Sequence, residues 1–125
     1  MGTRSTIAKK NEDGSFTSIY CHWDGYPSHN GRILKSHYTS ASKVDELLSL
    51  GDLSSLGGEI GEKHDFDSHP DGVCTFYGRD RGEDGVEAIM CKSLGEVQSE
   101  EYTYVFDSDG QWKLVNEDGD ELIEF

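Results

Sequence analysis

The strongest constraint on the fold lies at Asn11-Glu12-Asp13-Gly14, an Asp-Gly turn set between two runs of β-forming residues, 3–9 and 15–23. Glycine tolerates the positive φ that tight hairpin turns demand, so Asp-Gly between such runs predicts an N-terminal β-hairpin. In the second run Thr17, Ile19, Cys21 and Trp23 fall on one face and Phe16, Ser18, Tyr20 and His22 on the other, because strand side chains alternate. The first is the expected core face. Gly25, Tyr26 and Pro27 then end the strand.

Helical spacing follows. Over residues 28–38, Ser28 is a candidate cap and Ile33, Leu34, His37 and Tyr38 recur on one side. Over residues 42–50 the apolar stripe is Val44, Leu47 and Leu48, Asp45 and Glu46 suit the first turns, and Gly51 supplies the stop. Asp52 reads as the cap of a further short helical turn reaching Leu56. Residues 63–71 read as a polar loop, and residues 93–99 as a weak helical turn or loop. Strands are expected at 72–78, 86–92, 102–106, 111–115 and 121–124, with Asp109-Gly110 and Asp118-Gly119 as turns. A hairpin, then helices, then a strand run is the order of an α+β fold. Its sheet is expected to be mostly antiparallel, with two to three short helices inserted between the hairpin and the later strands.

At 125 residues the chain fits a single domain. No apolar run approaches the roughly 20 residues needed to span a bilayer, and no charged-then-apolar leader opens the sequence. Eleven basic residues against 25 acidic ones give a net charge of −14. A chain so acidic is a poor binder of phosphate backbones and of anionic membranes, so neither direct nucleic acid nor membrane is an expected partner. The charge is uneven: residues 1–62 carry −2, residues 63–125 carry −12, and the stretch from Ser93 onward sets only Lys113 against ten acids. Such a face either keeps the protein in solution or docks on something basic, for instance by mimicking nucleic acid on a nucleic-acid-binding protein. Asp107, Asp109, Glu117, Asp118, Asp120 and Glu121 are the candidate docking residues.

The cysteines, Cys21, Cys74 and Cys91, are odd in number and sit among apolar or aromatic neighbours, as reduced structural thiols do. His64, Asp65, Asp67, His69 and Asp71 are dense in ligand types but match no zinc spacing. Asp107-Ser108-Asp109-Gly110 lacks the spacing of a calcium loop and reads as a hairpin turn. No cofactor is implied.

Two segments concentrate chemistry. Tyr20-Cys21-His22-Trp23-Asp24-Gly25-Tyr26-Pro27 packs three aromatics, a His and an Asp into eight residues. It reads as a strand end with core aromatics, as the wall of a ligand pocket, or as an Asp24–His22 acid–base pair. Tyr77-Gly78-Arg79-Asp80-Arg81-Gly82-Glu83-Asp84 places Arg79 and Arg81 two apart, on one face if the segment is extended. There they either form structural ion pairs or fork onto an anion. Tyr20, His22, Trp23, Asp24, Tyr26, Arg79 and Arg81 together make a candidate site for a nucleotide-like small molecule.

These segments, with Arg4-Ser5-Thr6-Ile7-Ala8, Leu50-Gly51-Asp52-Leu53-Ser54-Ser55-Leu56-Gly57 and Glu101-Tyr102-Thr103-Tyr104-Val105-Phe106, resemble a family of short uncharacterised proteins of tailed bacteriophages and prophages. The resemblance carries no catalytic residue. It implies a viral protein acting in the bacterial host cytoplasm, and small size and acidity suit an anti-defence accessory protein. The expected function is therefore non-enzymatic: inhibition of a host protein with a basic surface. The rivals are a nucleotide-binding protein or sponge, and a small enzyme using His22 and Asp24.

Overall fold

The hairpin forms as its turn chemistry dictates. In the computed structural model, which describes residues 4–23, 25–68, 72–92, 102–107, 109–115 and 121–123, β1 (Ser5–Lys10) pairs antiparallel with β2 (Phe16–Cys21). The backbone N–H groups of Asn11 and Gly14 close the turn onto Ser15 and Asn11 carbonyls, and Gly14 takes φ +86°. Ile19 and Cys21 enter the main core, as the alternation requires. Trp23 lies past the strand end and is 41% exposed, not a core residue.

Helix α1 (Arg32–His37) is entered through a π-helical turn, Pro27–Gly31, with no side-chain cap; the expected Ser28 cap is not made. Proline pre-sets the first φ of the turn, so the helical segment starts at Pro27 and Ser28 lies inside it rather than at its cap. Helix α2 (Ala41–Ser49) is capped by Ser40, whose side chain accepts from the Lys43 N–H. Leu34, Tyr38, Val44 and Leu47 are fully buried against the sheet.

The expected helical turn after Asp52 is instead strand β3 (Leu53–Ser55). The Asp52 carboxylate accepts from the Tyr20 N–H at 2.8 Å rather than capping its own segment. The expected strand 72–78 shrinks to β4 (Thr75–Phe76), and Tyr77–Arg81 forms helix α3. Asp80 reaches back to accept from the Phe76 N–H at 2.8 Å, closing the first turn as a capping carboxylate does. Gly82, at φ +75°, ends the helix. Strand β5 (Ile89–Cys91) is shorter than expected. Strands β6 (Tyr102–Phe106), β7 (Trp112–Val115) and β8 (Glu121–Ile123) complete the sheet. The expected turn or loop at 93–99 lies outside the described residues.

The sheet order is β4-β3-β2-β1-β6-β7-β8, with β5 joined to β2. Most pairings are antiparallel; β1–β6 and β2–β3 are parallel. One α+β sheet thus carries three short helices between its N-terminal hairpin and its later strands. Both faces are covered, since Ala8, Phe16 and Val105 form a second apolar cluster behind the main core. No described helix is long and apolar enough to cross a membrane.

Candidate functional site

Where β2 ends, its chain is gripped by its neighbours. The backbone N–H groups of His22 and Trp23 donate to the carbonyls of Leu53 and Ser54 at 3.1 and 2.9 Å. Asn30, fully buried in the π-helical turn, donates to the Trp23 carbonyl, the Ser5 hydroxyl and the Cys21 thiol, each at 3.3 Å. The Tyr104 hydroxyl donates to the Gly25 carbonyl at 2.6 Å. The backbone around Trp23 is therefore fixed from both sides, while Trp23 and Tyr26 stay 41% and 38% exposed. Asn30 and Tyr104 had no signature in the sequence, because their partners lie on other elements.

Within the segment, Tyr20 Oη and His22 Nδ1 share a hydrogen bond of 2.6 Å. The Trp23 ring meets the His22 ring edge-on at 4.7 Å, and Tyr26 stands edge-on to His29 at 5.9 Å. Such tilted aromatic contacts hold rings in place. The partner at His22 Nδ1 is thus a tyrosine hydroxyl. Asp24, the expected acid–base partner, lies outside the described residues.

The two chemistry-bearing segments do adjoin, across β3. Asp52 touches both, its carboxylate accepting from the Tyr20 N–H at 2.8 Å and its backbone carbonyl from the Tyr77 N–H at 3.2 Å. Burial pushes the Tyr77 hydroxyl above the ordinary tyrosine range. The arginines do not form a fork. On helix α3 residues two apart point to different sides. Arg79 lies over the Phe76 ring and donates all five N–H groups, to Asp80 Oδ1 and Oδ2 and to the carbonyls of Ile60, Gly61 and Cys74. It is a staple for the 60–61 backbone, with no donor left for a ligand. Arg81 packs over Phe66 and Tyr77 and pairs with Glu83 at 3.3 Å.

Asp80 is the centre of this staple. Burial pushes its carboxyl up, but hydrogen bonds from Arg79 and from the backbone of Phe76 and His64 outweigh it, so its pKa lies below the ordinary aspartate value. His64 Nε2 meets the Thr75 hydroxyl at 3.1 Å, and its Nδ1 meets the Glu62 carbonyl at 3.0 Å. His64 therefore has a structural place, and among the described residues no cluster of metal-ligating side chains forms.

Of the candidate docking acids, Asp107 and Asp109 converge on Lys113, at 2.9 and 3.3 Å, across the expected hairpin turn. Glu121 opens β8, and Glu117, Asp118 and Asp120 lie outside the described residues. A second set of carboxylates, some of them read in the sequence as ligand types or ion-pair partners, gathers in the fold as one surface. Glu59, Glu62, Asp65 and Asp67 are exposed on the loop that packs against α3, and Glu83, Asp84 and Glu87 are exposed just after that helix. Phe66 stacks on Tyr77 at 5.6 Å and brings the two groups together. Distance in sequence hid this, since 59–67 and 83–87 are joined only by the fold. Compared with known protein families, curated proteins and solved structures, the chain matches none significantly.

Proposed function

We propose that this is a non-enzymatic binding protein that docks on a basic surface of another protein, anchored by Trp23 and Tyr26. The observation that carries this reading is the exposed Trp23 ring on a backbone held by Ser54 and Asn30. A pre-ordered, half-exposed aromatic costs little entropy to bury, and tryptophan and tyrosine dominate the binding energy of protein interfaces. The net charge of −14 fits a basic partner, and the exposed acids beside α3 would steer the encounter. The resemblance to phage proteins supports a bacterial host cytoplasm as the setting and a host defence protein as the target. An acidic surface of this kind suits occupation of a nucleic-acid-binding face.

A nucleotide-like ligand at the same segments is less well supported, because every N–H of Arg79 is already bonded within the protein. The experiment is a low-salt pull-down from bacterial host lysate with the intact protein, Trp23→Ala, and two charge reversals. One reversal changes Asp107, Asp109, Asp118 and Asp120 to Lys; the other changes Glu62, Asp65, Glu83 and Asp84 to Lys. Capture of a basic protein that Trp23→Ala loses, and that at least one reversal weakens, is the expected result. A captured set identical for all four proteins would defeat the proposal.

A further inference from the structure

One stretch of the chain reverses its charge. From Gly25 to Val44 it holds Arg32, Lys35 and Lys43 and no acid, whereas the remaining residues together carry −17. This stretch begins beside the exposed aromatics. Asn30, which fixes the Trp23 carbonyl, belongs to the π-helical turn that leads into α1. The His29 backbone N–H donates to the Tyr26 carbonyl at 3.0 Å, and the two rings meet edge-on. The surface of Trp23 and Tyr26 therefore runs on into that of α1.

The cations of this stretch divide in two. Lys43 is turned inward, its amine donating to the Gly58 carbonyl at 2.8 Å and lying over the Tyr38 ring. Arg32 and Lys35 are exposed, three residues apart on α1, and so share one side of the helix. Arg32 makes no hydrogen bond or ion pair with any described residue. Its guanidinium offers five donors in a planar fork that fits a carboxylate. The chain has 25 acids, yet none of the described ones is placed to take it.

On its other side, the Trp23 backbone N–H is bonded to Ser54 of β3, which pairs with β4, and β4 runs directly into α3. There the exposed acids of 59–67 and 83–87 gather. The surface around Trp23 thus changes sign, basic towards α1 and acidic towards α3. A surface that buries Trp23 meets both sides, and like charges set opposite one another are costly. At physiological salt, charges beyond about 8 Å are largely screened. The groups nearest the ring, rather than the net charge of −14, then select what docks.

We propose that the partner at Trp23 is a protein whose contact face is itself split in charge. Its Asp or Glu carboxylates oppose Arg32 and Lys35, its basic residues oppose the acids beside α3, and an apolar recess between them takes Trp23. This inference rests on the docking reading above and narrows it: a face basic throughout would set its own cations against Arg32.

The test uses the protein captured by the intact chain, purified and titrated at about 0.15 M salt. It is titrated against the intact chain, Arg32→Glu, Arg32→Lys and Trp23→Ala. Arg32→Glu should weaken binding about fivefold or more, and Arg32→Lys by less than about twofold. Carbodiimide treatment of the Arg32→Lys complex should join the amine introduced at position 32 to an Asp or Glu of the captured protein, located by mass spectrometry of the linked peptides. This cross-link decides the matter if Arg32→Glu melts below the parent protein. If Trp23→Ala abolishes binding while a folded Arg32→Glu binds like the parent, or if no such cross-link forms, the split face is wrong and the docking reading stands. If no captured protein depends on Trp23, both fall.

Discussion

The buried side-chain amide of Asn30 donates to the backbone carbonyl of Trp23 at 3.3 Å, and the same nitrogen reaches Ser5 and Cys21. One residue of the π-helical turn thereby ties α1, the edge of β1 and the exposed segment together. Asn30→Ala leaves these acceptors buried without their donor, which costs about 2 kcal/mol. Urea denaturation should show a lower midpoint at an unchanged slope. A midpoint equal to that of the parent protein would mean that Asn30 does not anchor the segment.

Trp23→Ala should have a different signature. The ring is largely outside the core, so stability should change by less than about 1 kcal/mol, whereas partner binding should weaken by about 2 kcal/mol or more. Trp112 provides the contrast. Its indole N–H donates to the Tyr38 carbonyl at 2.8 Å and its ring packs on Phe106 at 5.1 Å, so Trp112→Ala should cost about 3 kcal/mol of stability. Thermal melts beside binding assays on the two variants check this, and equal melting losses would contradict it.

Local signals explain why some elements were legible in the sequence. Strand β6 spans Tyr102–Phe106 as expected, and α2 lies within one residue of its expected bounds because its apolar stripe and Gly51 mark it, while the Ser40 cap is a finding of the structure. The α+β order followed from such signals. Errors arose where a carboxylate chose a distant partner. Asp52 looks like a helix cap but accepts from Tyr20 on another strand. Asp80 reads in the sequence as an ion-pair partner for the arginines and does pair with Arg79, but it also closes the first turn of α3 and holds the His64 backbone, which the sequence did not show. In the site, the aromatics of 20–26 were visible and their rigidity was not, since Ser54, Asn30 and Tyr104 supply it from elsewhere in the chain.

The Asp80 staple makes stability depend on acid. Its folded pKa is depressed, so the stabilisation is complete above the ordinary aspartate value and is lost as pH falls through the folded one. Asp80→Asn leaves Arg79, whose side chain is 13% exposed, without its charged partner. The variant should be less stable by about 3 kcal/mol at neutral pH. Denaturant titrations should show that gap narrowing as pH drops below about 4. A gap that is the same at both pH values would rule out the carboxylate charge as its source.

Gly51 and Gly14 separate backbone strain from collision. Both have positive φ, +82° and +86°. A Cβ at Gly51 would run into the carbonyl oxygen of Val86, whereas one at Gly14 meets nothing within 4 Å. Gly14→Ala should cost about 1 kcal/mol from the left-handed backbone alone. Gly51→Ala should cost clearly more, because the Val86 carbonyl must move, and with it the bond it accepts from the Asp52 N–H at 2.8 Å. Equal losses on denaturation would mean that the 86–87 backbone yields freely.

The cysteines should divide by burial. None forms a disulfide, Cys21 and Cys74 are fully buried, and Cys91 on β5 is partly exposed. Burial pushes the Cys21 thiol up to about 12, against the opposing effect of the Asn30 amide, and raises that of Cys74 as well. The thiolate is the reactive form, so under native conditions a disulfide reagent should label Cys91 first. In a Cys91→Ser variant the remaining two should react only as the protein unfolds, at a rate that rises with added urea. The raised values also set the alkaline limit. An unfolded thiol ionises near about 8.5 while folded Cys21 does not, so stability should fall as pH rises above that point. Rapid labelling of two or three thiols in the native protein, or a Cys91→Ser rate indifferent to urea, would show that the core around Cys21 and Cys74 opens without unfolding.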